Sequence, residues 1–435
     1  MQEKSVSQSE PKRGAMSGSQ GDTVDERRRT AEALEPSRPQ EQESVSPQDG
    51  GKAAQEQDKY FIAFSHLIGT SPLFKAKLLE FFDFDVRRAW NCGKNDLKTL
   101  SVAYPELSIP RGFIAQRDAL NPDKLYVQTS GGGVNYITIN SRLYPELLKN
   151  IPDPPLMLYY KGDLATPGAL GGDSSNACAD KLNPAIFENT LAVVGSRRAS
   201  EGAKLALDKI VRELQNAPVT IVSGLALGID AQAHKSAIEA GLKTIGVIGC
   251  GINKVYPHTN AWLYKKIEDG AGLIMSEFPP DVPPMAHHFP QRNRIVTGLS
   301  HGTLVVEAAL KSGALISGNL TLEQGRELMC MPGLISNPNT EGVYKLLKDG
   351  ATLTTCANDI FEALNWSFET ASQAGLNLKD AEKYIFDIIS LEGATTEKIQ
   401  QQSGLEIAEL MITLTGLELR GLIKQINGRY FVIMK

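Results

Sequence analysis

The chain has 435 residues, with 45 Lys+Arg against 50 Asp+Glu and a formal net charge of -5, so it cannot coat polyanions by being basic throughout, and any nucleic-acid site has to be a local patch. Its hydrophobic fraction of 42% is that of a globular protein, and the length allows about two or three domains at roughly 150 residues each. The five cysteines (Cys92, Cys178, Cys250, Cys330, Cys356) form no Cys-x-x-Cys pair, which argues against a disulfide framework or zinc ribbon; with no run of about 20 apolar residues and no apolar segment behind Met1-Gln-Glu-Lys4, the expectation is a soluble, cytoplasmic protein with no membrane contact.

Residues 1–58 contain no Ile, Phe, Tyr, Trp or Cys. Such a segment cannot bury enough apolar surface to offset the entropy of ordering it, and a disordered tail is expected. Arg27-Arg28-Arg29 sits among Asp25, Glu26 and Glu32, the pattern of a solvated mixed-charge tail. Apolar residues then appear abruptly at Tyr60-Phe-Ile-Ala-Phe64 and recur at helical spacing through Phe82, with Ser71-Pro72 suited to start a second helix. Residues 59–124 are predicted to form a small helical, SAM-like module without catalytic spacing.

From residue 125 the pattern changes to short β-like runs. Tyr136–Ile139 precedes a helix-like Tyr144–Leu148 and then Leu156–Tyr160, the start of an α/β domain. A Gly- and Ser-rich insertion at 165–183 follows. Beyond it, apolar runs alternate with amphipathic helices: Leu191–Gly195, Val219–Gly224, Thr244–Gly249, Leu273–Ser276, Thr303–Glu307 and Leu328–Pro332. This rhythm predicts a doubly wound, Rossmann-like α/β fold with a parallel sheet over 125–364. A Ser-, Thr- and Gln-containing linker at 365–378 leads to three helices and a closing strand over 379–435, which reads as a winged helix.

In parallel α/β sheets, ligands sit at the carboxyl ends of strands, where helix N-termini point N–H groups at anions. Here Gly195-Ser196-Arg197-Arg198, Gly224-x3-Gly228 and Gly249-Cys250-Gly251 follow successive strands. None completes a dinucleotide fingerprint, and no Gly-x4-Gly-Lys-[Ser/Thr] occurs, so the sequence implies no NAD or ATP cofactor. What remains is a phosphate-friendly rim with Arg197 as a bidentate fork. The run His287-His288-Phe289-Pro290-Gln291-Arg292-Asn293-Arg294 puts an aromatic beside two arginines, the composition that grips single-stranded nucleic acid. A structural loop whose arginines cap helix carboxyl ends is an equal reading. No histidine pair has metal-binding spacing, no Gly-x-Ser-x-Gly elbow occurs, and Asp230 with His234 reads as helix capping, so no metal site and no catalytic residue is expected.

Nine motifs carry a resemblance. They are Val193–Arg197, Val222–His234, Gly249–Pro257, Ser276–Pro279, Phe289–Ile295, Gly298–Ser300, Val305–Ala308, Ser312–Ile316 and Glu323–Arg326, and in this order they resemble the DNA-processing protein A (DprA, Smf) family. The resemblance covers about residues 135–360 strongly and the flanking modules more loosely. It implies an extended Rossmann core that binds single-stranded DNA, forms homodimers and loads the RecA recombinase during natural transformation, without enzymatic activity. It further implies that Gly195, Ser196 and Arg197 hold a backbone phosphate, that Phe289, Arg292, Asn293 and Arg294 line the strand's path, and that Lys311 adds a phosphate contact. His258 stands where many relatives have lysine, so a contact there would depend on pH.

Charge separates the modules. Residues 190–357 hold 16 Lys+Arg against 14 Asp+Glu, and residues 376–435 hold 7 against 8. The helix expected to enter a DNA groove carries Glu406, Glu409 and Glu418 with Arg420 alone, so the winged helix is expected to bind protein or to serve as a packing module, and not to read duplex DNA. One alternative belongs to another class. His301-Gly302-Thr303-Leu-Val-Val-Glu307 resembles the Gly-Thr-x-x-x-Glu element of the LOG-type nucleotide phosphoribohydrolases. The glycine pair expected before Gly302 is replaced by Ser300-His301, which weighs against hydrolysis.

Overall fold

The structure, a computed structural model, describes residues 47–162, 184–368, 380–390, 393–419, 422–426 and 428–432. The first 46 residues of the expected tail, the insertion at 165–183 and residues 369–378 of the expected linker lie outside them. Short apolar runs form the strands. Among the described residues the central sheet contains Asn135–Thr138 (β1), Met157–Lys161 (β2), Thr190–Gly195 (β3), Thr220–Ser223 (β4), Lys243–Val247 (β5), Gly272–Ser276 (β6), Gly302–Val306 (β7), Glu327–Cys330 (β8) and Thr352–Leu353 (β9).

Their order is β1-β2-β6-β5-β4-β3-β7-β8-β9. Every neighbour from β6 to β9 is parallel, whereas β1 with β2 and β2 with β6 are antiparallel. The sheet is therefore mixed, with a parallel centre. The segment between β1 and β2 contains only the four-residue helix Glu146–Lys149, too short for the crossover that parallel pairing needs, and the two strands pair antiparallel at one edge.

The strands are apolar on both faces because two cores cover them. Leu191 and Val193 of β3 pack into one core with Leu207, Ile210 and Val211 of the helix Glu201–Glu213. Ala192 and Val194 enter the other, as the period of two requires. Leu205 of that helix faces solvent, 70% exposed. The second core is continuous with the N-terminal helices: Phe61, Phe64, Phe74 and Leu78 belong to the same cluster as Met157, Leu158, Ile274 and Met275. Ser65 Oγ and Tyr159 Oη also meet at 2.9 Å.

Helical order begins earlier than composition suggests. The first described helix is Pro47–Ser65, so residues 47–58 of the expected disordered tail are helical. Ala53, Ala54, Gln55, Glu56 and Gln57 are good helix formers, and Asp58 accepts a hydrogen bond from Tyr136 Oη at 2.9 Å, which anchors this helix to β1. The next helix starts at Pro72 as expected, although Ser71 makes no side-chain cap bond. Asp85 and Asn121 do cap theirs, accepting from Arg88 N and Lys124 N.

The C-terminal unit has helices Asp380–Ser390, Thr396–Ser403 and Ile407–Leu419 with the strands Ala394–Thr395 (β10), Ile423–Ile426 (β11) and Arg429–Val432 (β12). These strands pair antiparallel in the order β10-β12-β11, giving a winged helix. Its core is its own, built from Ile385, Ile389, Ile399, Leu410, Leu414 and neighbours. No helix among the described residues is long and apolar enough to cross a membrane.

Phe74 is fully buried and edge-stacked on Phe113 at 5.0 Å. Phe74→Ala is predicted to lower unfolding stability by about 3–5 kcal/mol, read as a fall in the urea midpoint.

Candidate nucleic-acid interface

The chain leaves β3 toward β4, β5 and β6 on one side, and returns to β7, on the other side of β3, before continuing to β8 and β9. The carboxyl ends of β3 and β7 thus lie at a topological switch point, where the loops diverge and leave a crevice. A cleft of about 920 Å³ opens there, lined among others by Ser196, Arg197, Asp230, Tyr256, Phe289, Arg292 and Lys311.

Close backbone packing builds the rim. Gly195 lies against the Val306 carbonyl and Ile229, with no room for a side chain. Gly228, at φ 78 and ψ -121, lies against the backbone of Ser196 and Arg197, a conformation and an approach that only glycine permits. Ile229 N donates to Ser196 O at 3.1 Å. At the other end of the loop, the Glu307 carboxylate accepts from Ser200 N at 2.9 Å, Ser200 Oγ at 2.6 Å and Asn337 Nδ2 at 2.7 Å. Glu307 and Leu225, both next to the cleft, hold positive φ values of 50 and 53, strained conformations of the kind that gather at functional sites. The loop 196–200 is therefore clamped at both ends, and from it Arg197 projects, exposed, with its guanidinium 5.5 Å from the Phe289 ring centroid. Phe289 in turn tilts against Tyr256 at 5.5 Å.

The run beginning at His287 is not a loop. Residues His288–Gly298 form a helix, and its period decides what each side chain meets. Phe289, Arg292 and Asn293, spaced i, i+3, i+4, share the cleft face. Gln291 and Arg294 point away. Arg294, 4% exposed, donates from Nε to Asp153 at 3.0 Å and from a terminal nitrogen to Glu277 at 2.7 Å, while Gln291 Nε2 donates to Glu277 at 3.1 Å. Of the eight residues expected to contact the strand, Arg294 is thus not brought to the cleft, and the other seven line it. Asn293 donates to Gly313 O at 3.3 Å and links this helix to Gly313–Glu323; Lys311 stands exposed just before it.

Arg292 forms the floor. It is 4% exposed, and its guanidinium lies against Gly224, where any Cβ would collide with it. Burial lowers its affinity for a proton, opposed by Asp230, yet a guanidinium stays charged in proteins. Burial raises the Asp230 carboxyl, and Arg292 opposes the rise. Nε of Arg292 has no partner among the described residues. Beneath lies His234, which meets Thr244 Oγ1 at 2.7 Å while that hydroxyl donates to Ile221 O at 2.8 Å. His234 therefore donates from Nδ1 to Thr244, and among the described residues it makes no contact with Asp230 of the kind that helix capping would give. Behind the cleft, burial lowers Lys75 of the N-terminal helices to about 8, with Glu277 opposing.

Two features escaped the sequence. Tyr256 joins the aromatic pair, and its signal was a Tyr-Pro just beyond the strand end at Gly249. Glu307, at the end of the Gly-Thr-x-x-x-Glu element, turns out to be the clamp of the rim loop.

Comparisons with known proteins bear out the family resemblance. Residues 182–365 match the family model described as DNA recombination-mediator protein A, and residues 369–429 match the DprA winged helix domain. Protein Smf of Escherichia coli is 36% identical over 305 residues, covering 68% of this chain and 76% of that protein. DNA processing protein DprA of Bacillus subtilis is 38% identical over 271 residues, covering 62% and 79%. The X-ray structure of DNA processing protein A from Streptococcus pneumoniae aligns with a TM-score of 0.56 at 29% identity, over 71% of this chain and 96% of that one.

Removing one partner of a buried ion pair leaves the others uncompensated, so Arg294→Ala is predicted to destabilise by about 3–5 kcal/mol; exposed Arg197→Ala should stay within about 0.5 kcal/mol of wild type in the same urea titration. Burial, with the Arg292 charge adding to it, holds His234 at about 3 against an ordinary 6.5. The unfolded chain takes up that proton first, so this contribution to stability is present above pH 6.5 and lost as pH falls toward 3. The stability difference between wild type and His234→Gln is predicted to shrink between about pH 7.5 and about pH 5, measured by urea unfolding.

Proposed function

The chain belongs to the DNA recombination-mediator protein A family, and we propose that it binds single-stranded DNA in the cleft at the ends of β3 and β7. In this reading it protects incoming strands during DNA uptake and natural transformation and loads the RecA recombinase onto them. It acts in the cytoplasm, as a homodimer through the Rossmann-like core and without catalysis.

The observation that carries the reading is the exposed Arg197 guanidinium 5.5 Å over Phe289, itself tilted on Tyr256. Cations for phosphates beside aromatic faces for bases suit a strand whose bases are unpaired. Arg197 and Lys311 take phosphates from the two sides of the cleft. Gly195 and Ser196 allow the backbone to approach, and Arg292 and Asn293 meet the strand from the floor. Arg294 acts through the helix it fixes. Against LOG-type hydrolysis, the Glu307 carboxylate is 4% exposed and is used to hold the rim loop through Ser200 and Asn337.

The winged helix is assigned to protein contact. Its helix Ile407–Leu419 exposes Ile407 at 46%, Met411 at 43% and Ile412 at 75% beside Glu409 and Glu418, a surface that duplex phosphates would not attract.

Fluorescence anisotropy with labelled oligothymidine tests the core of this. Arg197→Ala is expected to weaken binding by about 1–3 kcal/mol, the worth of a charge-assisted contact, and Phe289→Ala to weaken it with the salt slope nearly unaltered. Equal affinity of the wild type for single strand and duplex would overturn the reading. A chain ending at residue 368 is expected to keep whatever duplex affinity the full chain has; its loss would reassign the winged helix to DNA.

A further inference from the structure

We propose that the single strand continues out of the cleft across Trp262, stacking a base on its indole with Lys265 and Lys266 against the flanking phosphates. The inference rests on the single-strand reading above and extends it beyond the cleft. Tyr256 is the outermost aromatic of the cleft, 42% exposed. From it the chain runs through the turn His258–Asn260 into the short helix Ala261–Lys266.

That helix is fastened to the rim. Tyr264 Oη donates to Tyr256 O at 2.9 Å, and Asn260 Nδ2 donates to Leu225 O at 2.9 Å and Ala226 O at 3.1 Å; Ala226 itself lines the cleft. Tyr264 faces inward, 3% exposed. Trp262, two residues earlier and so on the opposite face, faces outward at 45% exposure. Six residues separate Trp262 from Tyr256, which bounds their Cα separation at roughly 20 Å, near enough for one strand to touch both.

The chemistry matches the cleft. Lys266, one turn on, holds its ammonium 5.6 Å from the Trp262 ring. Neither Lys265 nor Lys266 forms an ion pair among the described residues, in contrast to Lys254 with Asp281 and Lys235 with Glu239. An exposed indole flanked by unpaired ammonium groups, continuous with an aromatic and cationic cleft, is complementary to a strand whose bases and phosphates are both accessible.

The test uses the full chain and labelled oligothymidines of about 5 and about 25 nucleotides. Trp262→Ala is expected to weaken the long strand about tenfold and leave the short one unchanged, because one stacked base is lost; Trp262→Phe should restore the long-strand affinity. Replacing both lysines with alanine should reduce the long-strand salt slope by about one. Trp262 should also report directly. The chain has three tryptophans, of which Trp90 is 6% exposed and Trp366 packs on His301, so quenching of emission by the long strand but not the short is expected, and Trp262→Phe should abolish it. If Trp262→Ala binds the long strand as wild type does while Arg197→Ala weakens both lengths, the proposal falls, the cleft reading stands, and the patch is a protein face. If wild type binds neither length, both fall together.

Discussion

The Arg294 guanidinium, 4% exposed between Asp153 and Glu277, fixes the angular position of the helix that faces the cleft. Asp153 precedes β2 and Glu277 follows β6, so the ion pairs join the antiparallel edge of the sheet to a helix that crosses toward β7. Taking three charges out of water carries a desolvation penalty that Coulomb attraction barely repays, and what the arrangement supplies is therefore placement more than net stability. With Arg294 held on one face, the helical period leaves Phe289, Arg292 and Asn293 no choice but the other.

The parallel centre of the sheet was legible because fully buried strands are written as unbroken apolar runs, such as Leu191-Ala-Val-Val194. The edge was less so: Tyr136–Ile139 and Leu156–Tyr160 read as strands, but the direction of pairing depends on what connects them, and a four-residue helix gives little signal. Residues 287–294 were the least legible part of the core. Two histidines, a proline and two arginines break the apolar periodicity that marks a helix, because in the first two turns of this helix the buried positions are themselves polar: His288, Arg292 and Arg294. A buried arginine cannot be recognised until its partners are known, and Asp153 and Glu277 lie more than a hundred and about seventeen residues away in the chain. The same reason hid the helix at residues 47–58, whose fixing contact is Tyr136.

The N-terminal helices do not stand apart from the sheet. Phe61, Phe64 and Phe74 share one core with Met157 and Ile274, and Lys75 reaches the neighbourhood of Glu277 and Arg294. The module and the helix that furnishes the cleft therefore bear on a common group of charges. The C-terminal winged helix has a separate core and no comparable tie among the described residues.

The clamped loop between Ser196 and Ser200 has a thermodynamic consequence for the strand proposed to lie on it. Ile229 at one end and Glu307 at the other hold it in shape before anything binds, so the ordering entropy of association falls on the nucleic acid rather than on the protein. A strand that is already stacked upon itself must give up that stacking to lay a base against Phe289, whereas a floppy one surrenders only its freedom. Rigidity in the protein thus becomes a preference among strands according to their own stiffness, without any hydrogen bond that reads a base.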